Sequence, residues 1–197
     1  KQEQNLSNFT VRAITAVVGG PLALIVAYAG GWVLVVVVAV LAAVALLEFY
    51  ALGRDRQTPG SAVVGVPALA AILLIFLARQ YAALLLVLIV AGVAAFVLER
   101  LRRLPKPGYR ALTTVAGLVY VALPSACLLG VRALPDGFNW LVLVLMLTWG
   151  TDTFAYFGGR LWGNHLLAPR ISPKKTVEGA VVGLIGGFVC GLLWAIA

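Results

Sequence analysis

Asp152, Tyr156 and Arg160 recur at every fourth position, which on a helix sets a carboxylate, a phenol and a guanidinium in one line. The segment that follows, GRLWGNHLLAPRISPKK, carries Arg160, His165, Arg170, Lys174 and Lys175 with no acidic residue among them. A carboxylate is a hard oxygen ligand suited to Mg²⁺, which is usually shared with substrate phosphates. A group of cations beside a free helix N-terminus is an anion site, with phosphate the natural occupant. The chemistry these residue types could do is therefore handling of phosphate with a divalent cation.

The local signals read Ser172-Pro173 as a helix start, with Ser172 as the cap and Pro173 at the first helical position. Lys174 and Lys175 then fall in the first turn, where the helix dipole disfavours a cation by about 0.3–1 kcal/mol. They are expected to await an anion. The bland alternative is an ordinary basic loop in which Glu178 offsets the lysines. His165 by itself reads as a polar loop residue, because no second histidine exists to share a metal.

The elements that must position these groups are membrane helices. Hydrophobic residues make up 62% of the chain, charged residues only 11%, and the mean hydropathy is +1.04. Seven apolar runs approach or exceed the length needed to cross the hydrocarbon layer: Ala13–Ala29, Trp32–Tyr50, Ser61–Leu77, Tyr81–Leu98, Ala111–Val131, Phe138–Phe157 and Val177–Ala197. Trp32, Tyr50, Tyr81, Trp140 and Trp194 suit the headgroup level, and Gly30-Gly31 leaves room only for a tight turn. Ala27-Tyr28-Ala29 also fits a signal-peptide cleavage pattern, the alternative for the start of the chain.

With the N-terminus in the cytoplasm, thirteen of the fifteen Lys and Arg residues fall on inner segments and only Arg79 and Arg132 on outer ones. That bias explains the net charge of +8 without nucleic acid. It also makes ERLRRLPKPGYR a cytoplasmic loop with a secondary attraction to anionic lipid. Glu3, Glu48, Asp55, Glu99, Asp136 and Glu178 fall in loops or near span ends, where water reaches them. Asp152 differs, since it lies about 14 residues, roughly 21 Å of helix, past Phe138. An ionisable residue at that depth is a functional-site candidate, with a structural Asp–Arg pair as the alternative.

Gly158-Gly159 is expected to end that span. Gly179, Gly183, Gly187 and Gly191 form a small-residue stripe on the last one, suited to close approach of a partner helix such as that of Asp152. Cys127 and Cys190 lie in apolar runs without metal or disulfide spacing and read as packed thiols.

DTFAYFGGRLWGNHLLAPRISPKKTVEG, Asp152 to Gly179, closely resembles the characteristic segment of bacterial phosphatidate cytidylyltransferases, also called CDP-diacylglycerol synthases. LAPRISPKKTVEG is its most specific part, and a weaker likeness covers the arginine before the first span and the EFY that ends the second. The resemblance implies an all-α, polytopic membrane bundle of about seven helices with its N-terminus cytoplasmic, in a bacterial plasma membrane with the active site facing the cytoplasm. It implies transfer of CMP from CTP to phosphatidate, giving CDP-diacylglycerol and pyrophosphate with Mg²⁺ as cofactor. Asp152 would hold or orient the metal. Lys174, Lys175 and Arg170 would stabilise the pyrophosphate, and Arg160, Ser172 and Thr176 would help bind phosphate. The habits of the family and the glycine stripe point to a homodimer.

The family's further signature, S-x-x-K-R-x-x-x-x-K-D followed by D-R-x-D with metal-binding aspartates, does not occur in this sequence. The resemblance thus implies N-terminal membrane helices with a basic cytoplasmic loop over 1–110, and over 111–197 the start of a catalytic membrane domain that is incomplete at its C-terminus. The missing part is expected to lie beyond these residues, with a partner that supplies it as the alternative. A CTP-dependent polyprenol kinase is the nearest competing reading; a transporter or channel and a non-catalytic membrane scaffold are the others.

Overall fold

The computed structural model describes residues 17–196. Lys1, Glu3, Arg12 and the expected start of the first span at Ala13 lie outside the described residues, as does Ala197. In chain order the elements are α1 (Val17–Ala29), α2 (Gly31–Ala51), α3 (Ala62–Leu77), α4 (Leu84–Leu101) after a 3₁₀ turn at Tyr81–Ala83, α5 (Pro107–Gly117), α6 (Leu123–Arg132), α7 (Gly137–Trp162), β1 (Leu166–Ala168), β2 (Ser172–Thr176) and α8 (Val177–Ala195). The described residues are nearly all helix, with one antiparallel two-stranded ribbon among them, β1–β2, that an all-α reading lacks.

Among the described residues five helices are long and apolar enough to cross a membrane: Gly31–Ala51, Tyr81–Leu101, Pro107–Arg132, Gly137–Trp162 and Val177–Ala195. Val17–Ala29 and Ala62–Leu77 are shorter; the 16 residues of α3 reach about 24 Å, less than a full hydrocarbon layer. Pro107–Arg132 is continuous because a π turn at Leu118–Ala122 joins α5 to α6. It lies just before Pro124, whose ring and missing N–H do not fit a regular helix turn.

The packing is that of helices meant for lipid. Ala42, Ala68, Ala91, Ala95, Ala111, Ala122 and Ala126 are buried, whereas Val33, Val36, Val40, Leu85, Ile89 and Val93 face outward. Small residues inside let helices approach, and large apolar ones outside match acyl chains. Cys127 is exposed on this outer surface and so is not a packed thiol; Cys190 is half-buried.

The structure divides into two compact units, 1–135 and 136–197. This cut lies beyond the division expected after Arg110, because α5 and α6 pack on α2, α3 and α4. In the first unit α2 buries Leu34, Val38, Ala42, Leu46 and Tyr50, a stripe of every fourth residue. Tyr50 is thus not a headgroup anchor. Its ring fits against Gly60, Gly65 and Gly117, where no Cβ could stand, and its hydroxyl donates to Thr114 O at 3.0 Å. The Thr114 hydroxyl in turn accepts from Ser61 N at 2.8 Å.

Glu99 corrects a second expectation. It is 1% exposed rather than open to water, and Arg110 Nε donates to its Oε2 at 2.6 Å. The turn of the α4–α5 loop brings the two together, and a carboxylate buried at that depth requires such a partner. At Gly30, where α1 gives way to α2, the backbone has φ 58°, and an added Cβ would lie 2.7 Å from Arg132 Nη2. The expected Gly30-Gly31 turn is there, and only glycine fits it.

Candidate functional site

The site residues named from sequence all lie in the second unit, on α7, the β1–β2 ribbon and the start of α8. What fixes these elements is the glycine stripe. Gly179, Gly183, Gly187 and Gly191 are all buried against α7. A Cβ at Gly183 would stand 2.7 Å from Ala155 Cβ and 2.8 Å from Thr151 O, and one at Gly187 would strike Thr151 Oγ1. On the α7 side Gly150 and Gly158 leave similar room for Cys190 and Val182. The two helices therefore touch backbone to backbone. The partner of the stripe is α7 of the same chain, so the stripe no longer supports a homodimer.

Helix α7 does not stop at Gly158-Gly159 as expected but runs on to Trp162. Both glycines are enclosed: a Cβ at Gly158 would lie 2.6 Å from Val182 Cβ, and one at Gly159 3.0 Å from Thr176 Oγ1. Close packing on α8 keeps that turn helical despite the weak propensity of glycine. Asp152, Tyr156 and Arg160 consequently do share one continuous helix, and Arg160 Nη1 donates to the Tyr156 hydroxyl at 3.3 Å. Asp152 follows Thr151 and is turned about 100° from the α8 contact line. It is exposed and makes no hydrogen bond or ion pair among the described residues.

The stretch ISPKKT is a strand and not a helix start. Ser172–Thr176 pairs antiparallel with Leu166–Ala168, and helix α8 begins at Val177 with Thr176 as its cap. Thr176 Oγ1 accepts from Gly179 N at 3.2 Å. Two local signals competed here, and the hairpin won. Pro169 opens a tight turn closed by Ile171 N donating to Ala168 O at 3.0 Å, which folds β2 back on β1. Pro173 can then sit in a two-stranded ribbon, where one strand edge is always free of ladder bonds.

The register places the lysines. Ala168 pairs with Ser172 and Leu166 with Thr176, so Pro173, Lys174 and Lys175 together face the single residue Leu167. Such a bulge breaks the ladder and re-aims side chains, a device common beside functional sites. Lys174 and Lys175 are therefore carried just before the helix cap rather than inside the first turn, as expected from sequence. Both are exposed, as is Arg170 at the hairpin turn, while Ser172 and Thr176 are half-buried.

Glu178 does not offset these cations. His165 Nδ1 lies 2.6 Å from Glu178 Oε1, and the His165 backbone N–H donates to both carboxylate oxygens at 3.3 and 3.2 Å. Val177 N also donates to His165 O at 2.9 Å, closing the ribbon onto the helix. Arg170, Lys174 and Lys175 are left without a carboxylate partner among the described residues. The arrangement is a bulged, cation-bearing ribbon at the N-terminus of a helix, suited to an anion with several oxygens.

Among the described residues no three of His, Cys, Asp and Glu gather as a metal cluster. The donor set around Asp152 is one free carboxylate flanked by Thr151 and Thr153. That fits Mg²⁺ held through a single carboxylate and shared with phosphate oxygens, and it does not fit a metal enclosed by protein alone. Sequence reasoning missed the ribbon and the His165–Glu178 pair. The signal was the Pro169 turn between LLA and ISPKKT, with Thr176 before an apolar helical run.

Comparison with known proteins bears on what such a site serves. A family model described as cytidylyltransferase family matches residues 10–197. The phosphatidate cytidylyltransferase of Brucella abortus (strain 2308) is 32% identical over 191 residues, covering 96% of this chain and 68% of that protein. That of Staphylococcus epidermidis is 28% identical over 188 residues, 93% of this chain and 69% of its own length. In Staphylococcus haemolyticus a shorter match reaches 47% identity over 58 residues, 29% of this chain and 21% of the relative. No solved structure matches.

Proposed function

The chain belongs to the cytidylyltransferase family, and on that premise we propose that it transfers CMP from CTP to phosphatidate, giving CDP-diacylglycerol and pyrophosphate. The observation that carries the reading is the bulged ribbon, whose Arg170, Lys174 and Lys175 have no carboxylate to neutralise them because His165 holds Glu178. Such cations are matched to the charge that develops on a departing pyrophosphate.

A phosphate oxygen of phosphatidate attacks the α-phosphorus of CTP. The bond from that phosphorus to the β-phosphate bridge breaks, and the electron pair leaves with pyrophosphate. Lys174, Lys175 and Arg170 bind the β- and γ-phosphates before the step and the leaving group after it. Ser172 and Thr176 add hydroxyl donors; the Thr176 oxygen accepts from Gly179 N, so its own hydrogen is free to donate to a phosphate. Arg160, braced by Tyr156, supplies a further guanidinium on α7. Asp152 would hold Mg²⁺, which would supply polarisation of the phosphoryl oxygens and offset their charge. Positioning and charge neutralisation supply most of the catalysis in this chemistry.

With α1 and α3 taken as short spans beside the five long helices, the charge pattern supports the N-terminus, the basic loops and the active site on the cytoplasmic side, and the bacterial relatives support a plasma membrane. A homodimer would then rest on surfaces other than the glycine stripe.

The test is incorporation of label from cytidine-labelled CTP into extractable lipid, with purified protein, phosphatidate micelles and Mg²⁺. CDP-diacylglycerol is expected, with at least a hundredfold loss in Asp152→Asn and in Lys174→Ala/Lys175→Ala, about 3 kcal/mol in the barrier. Transfer of phosphate from CTP to a lipid alcohol would replace this reading with a kinase. Undiminished turnover in both variants would overturn the assignment of the residues.

A further inference from the structure

The cations at the two ends of the first unit are spent differently. Arg79 Nη2 donates to Ala133 O at 3.1 Å, and Arg132 donates through Nε to Ala27 O at 2.9 Å and through Nη2 to Tyr28 O at 3.3 Å. Both guanidiniums at that end are absorbed in closing the chain. At the other end Lys106 Nζ donates to Arg56 O at 3.0 Å, which ties the α4–α5 loop to the α2–α3 loop. Arg100, Arg102 and Arg103 have no protein acceptor among the described residues. The adjacent carboxylate, Glu99, is buried and committed to Arg110.

The backbone adds a second observation. Arg103 has φ 53° and Lys106 φ 52°, the left-handed region. Arg103 lies just past the end of α4, after the Arg102 cap, with Leu104 N donating back to Glu99 O at 3.1 Å. Glycine is the unstrained choice at such a helix end, and a side chain there carries a conformational cost.

Arg100, Leu101, Arg103 and Leu104 line a shallow cavity of about 530 Å³. Two guanidiniums match phosphate oxygens as bidentate donors, and two leucines beside them match the first methylenes of an acyl chain. The lining offers no aromatic face for a nucleotide base. The cavity also sits at the end of a helix long enough to cross a membrane, Tyr81–Leu101, and the end of such a span is where lipid headgroups would meet it.

We propose that the α4–α5 loop is a binding site for the headgroup phosphate of an anionic glycerophospholipid, held between Arg100 and Arg103. The site is separate from the reaction proposed above and does not depend on it. Charge complementarity identifies the occupant: three guanidiniums without a carboxylate partner among the described residues lie at the end of a membrane-length helix, and an anionic lipid would supply the missing charge.

The test uses phosphatidylglycerol, which the proposed reaction does not consume. The protein is reconstituted in phosphatidylcholine vesicles containing a trace of spin-labelled phosphatidylglycerol, or of spin-labelled phosphatidylcholine for reference. The immobilised fraction is read by electron spin resonance. The wild type is expected to prefer the anionic lipid, with roughly fivefold from each guanidinium. Arg103→Gly removes the side chain and relieves the backbone, so the preference is expected to fall about fivefold while the protein melts no lower than the wild type. Arg100→Lys/Arg103→Lys keeps the charge but not the bidentate fork and is expected to lose a clear part of the preference; full retention would mean general attraction to the anionic surface and would overturn the site. An unchanged preference in both Arg103→Gly and Arg100→Gln/Arg103→Gln would overturn the site. So would its loss to inorganic phosphate at matched ionic strength, which would identify a free anion as the occupant.

Discussion

His165 Nδ1 lies 2.6 Å from Glu178 Oε1, and the backbone N–H of His165 donates to the same carboxylate. This pairing joins the start of β1 to the first turn of α8. It leaves Lys174 and Lys175 electrostatically unsatisfied although an acid is close in sequence. Glu178 is also well placed by sign, since a carboxylate in the first turn complements the helix dipole.

Glu178→Gln retains an oxygen acceptor for the His165 N–H and is expected to keep the ribbon closed. Glu178→Ala removes it and is expected to open the ribbon. Limited trypsinolysis reads the difference at Arg170, Lys174 and Lys175: cleavage faster in the alanine variant than in the wild type, and near wild type in the glutamine variant. Equal rates in all three would mean that the pairing does not hold the ribbon.

The two candidate helix starts predict opposite outcomes. Thr176→Val deletes the observed cap and is expected to cost about 1 kcal/mol. Ser172→Ala, at a strand end, is expected to stay within about 0.5 kcal/mol. Thermal unfolding in detergent of the two variants checks this, and a larger loss at Ser172 would reinstate the earlier start.

Close approach of α7 and α8 makes the stripe intolerant of any Cβ. Gly187→Ala would press on Thr151 Oγ1 and stand 3.0 Å from Leu147 O, and Gly183→Ala would meet Ala155 and Thr151. Each is expected to destabilise by about 1–3 kcal/mol through overpacking. Gly108→Ala, with nothing within 4 Å of the new Cβ, is expected to be neutral or slightly stabilising. Melting temperatures of the three variants in one detergent give the comparison.

Glu99 and Arg110 form the buried ion pair of the first unit. Removing either partner strands the other, so Glu99→Ala and Arg110→Ala are each expected to cost about 3–5 kcal/mol. The double variant is expected to lose well under the sum, because no charge is left stranded. A double-mutant cycle on unfolding free energy measures this, and simple additivity would mean that the pair is solvated in the membrane.

The sequence by itself determined the membrane class, five membrane-length helices among the described residues, and the residues of the cation-rich segment. Those features rest on local quantities: run length, hydropathy, sign of charge, and a motif whose letters can be read directly. The glycine stripe was also legible, since a period of four on one helix is a one-dimensional pattern. Which surface covered the stripe was not, and only the packed structure assigned it to α7.

Tertiary structure decided the rest by setting one local preference against another. SPKK carries a good helix-start signal, yet the Pro169 turn lets the same residues pair with Leu166–Ala168, and a strand bond ladder outweighs a cap. Gly158-Gly159 reads as a helix end, yet contact with Val182 and Thr176 keeps it helical. Glu99 reads as a solvated span end, yet a partner eleven residues later lets it be buried. In each case the deciding interaction joins residues that the local pattern treats as independent.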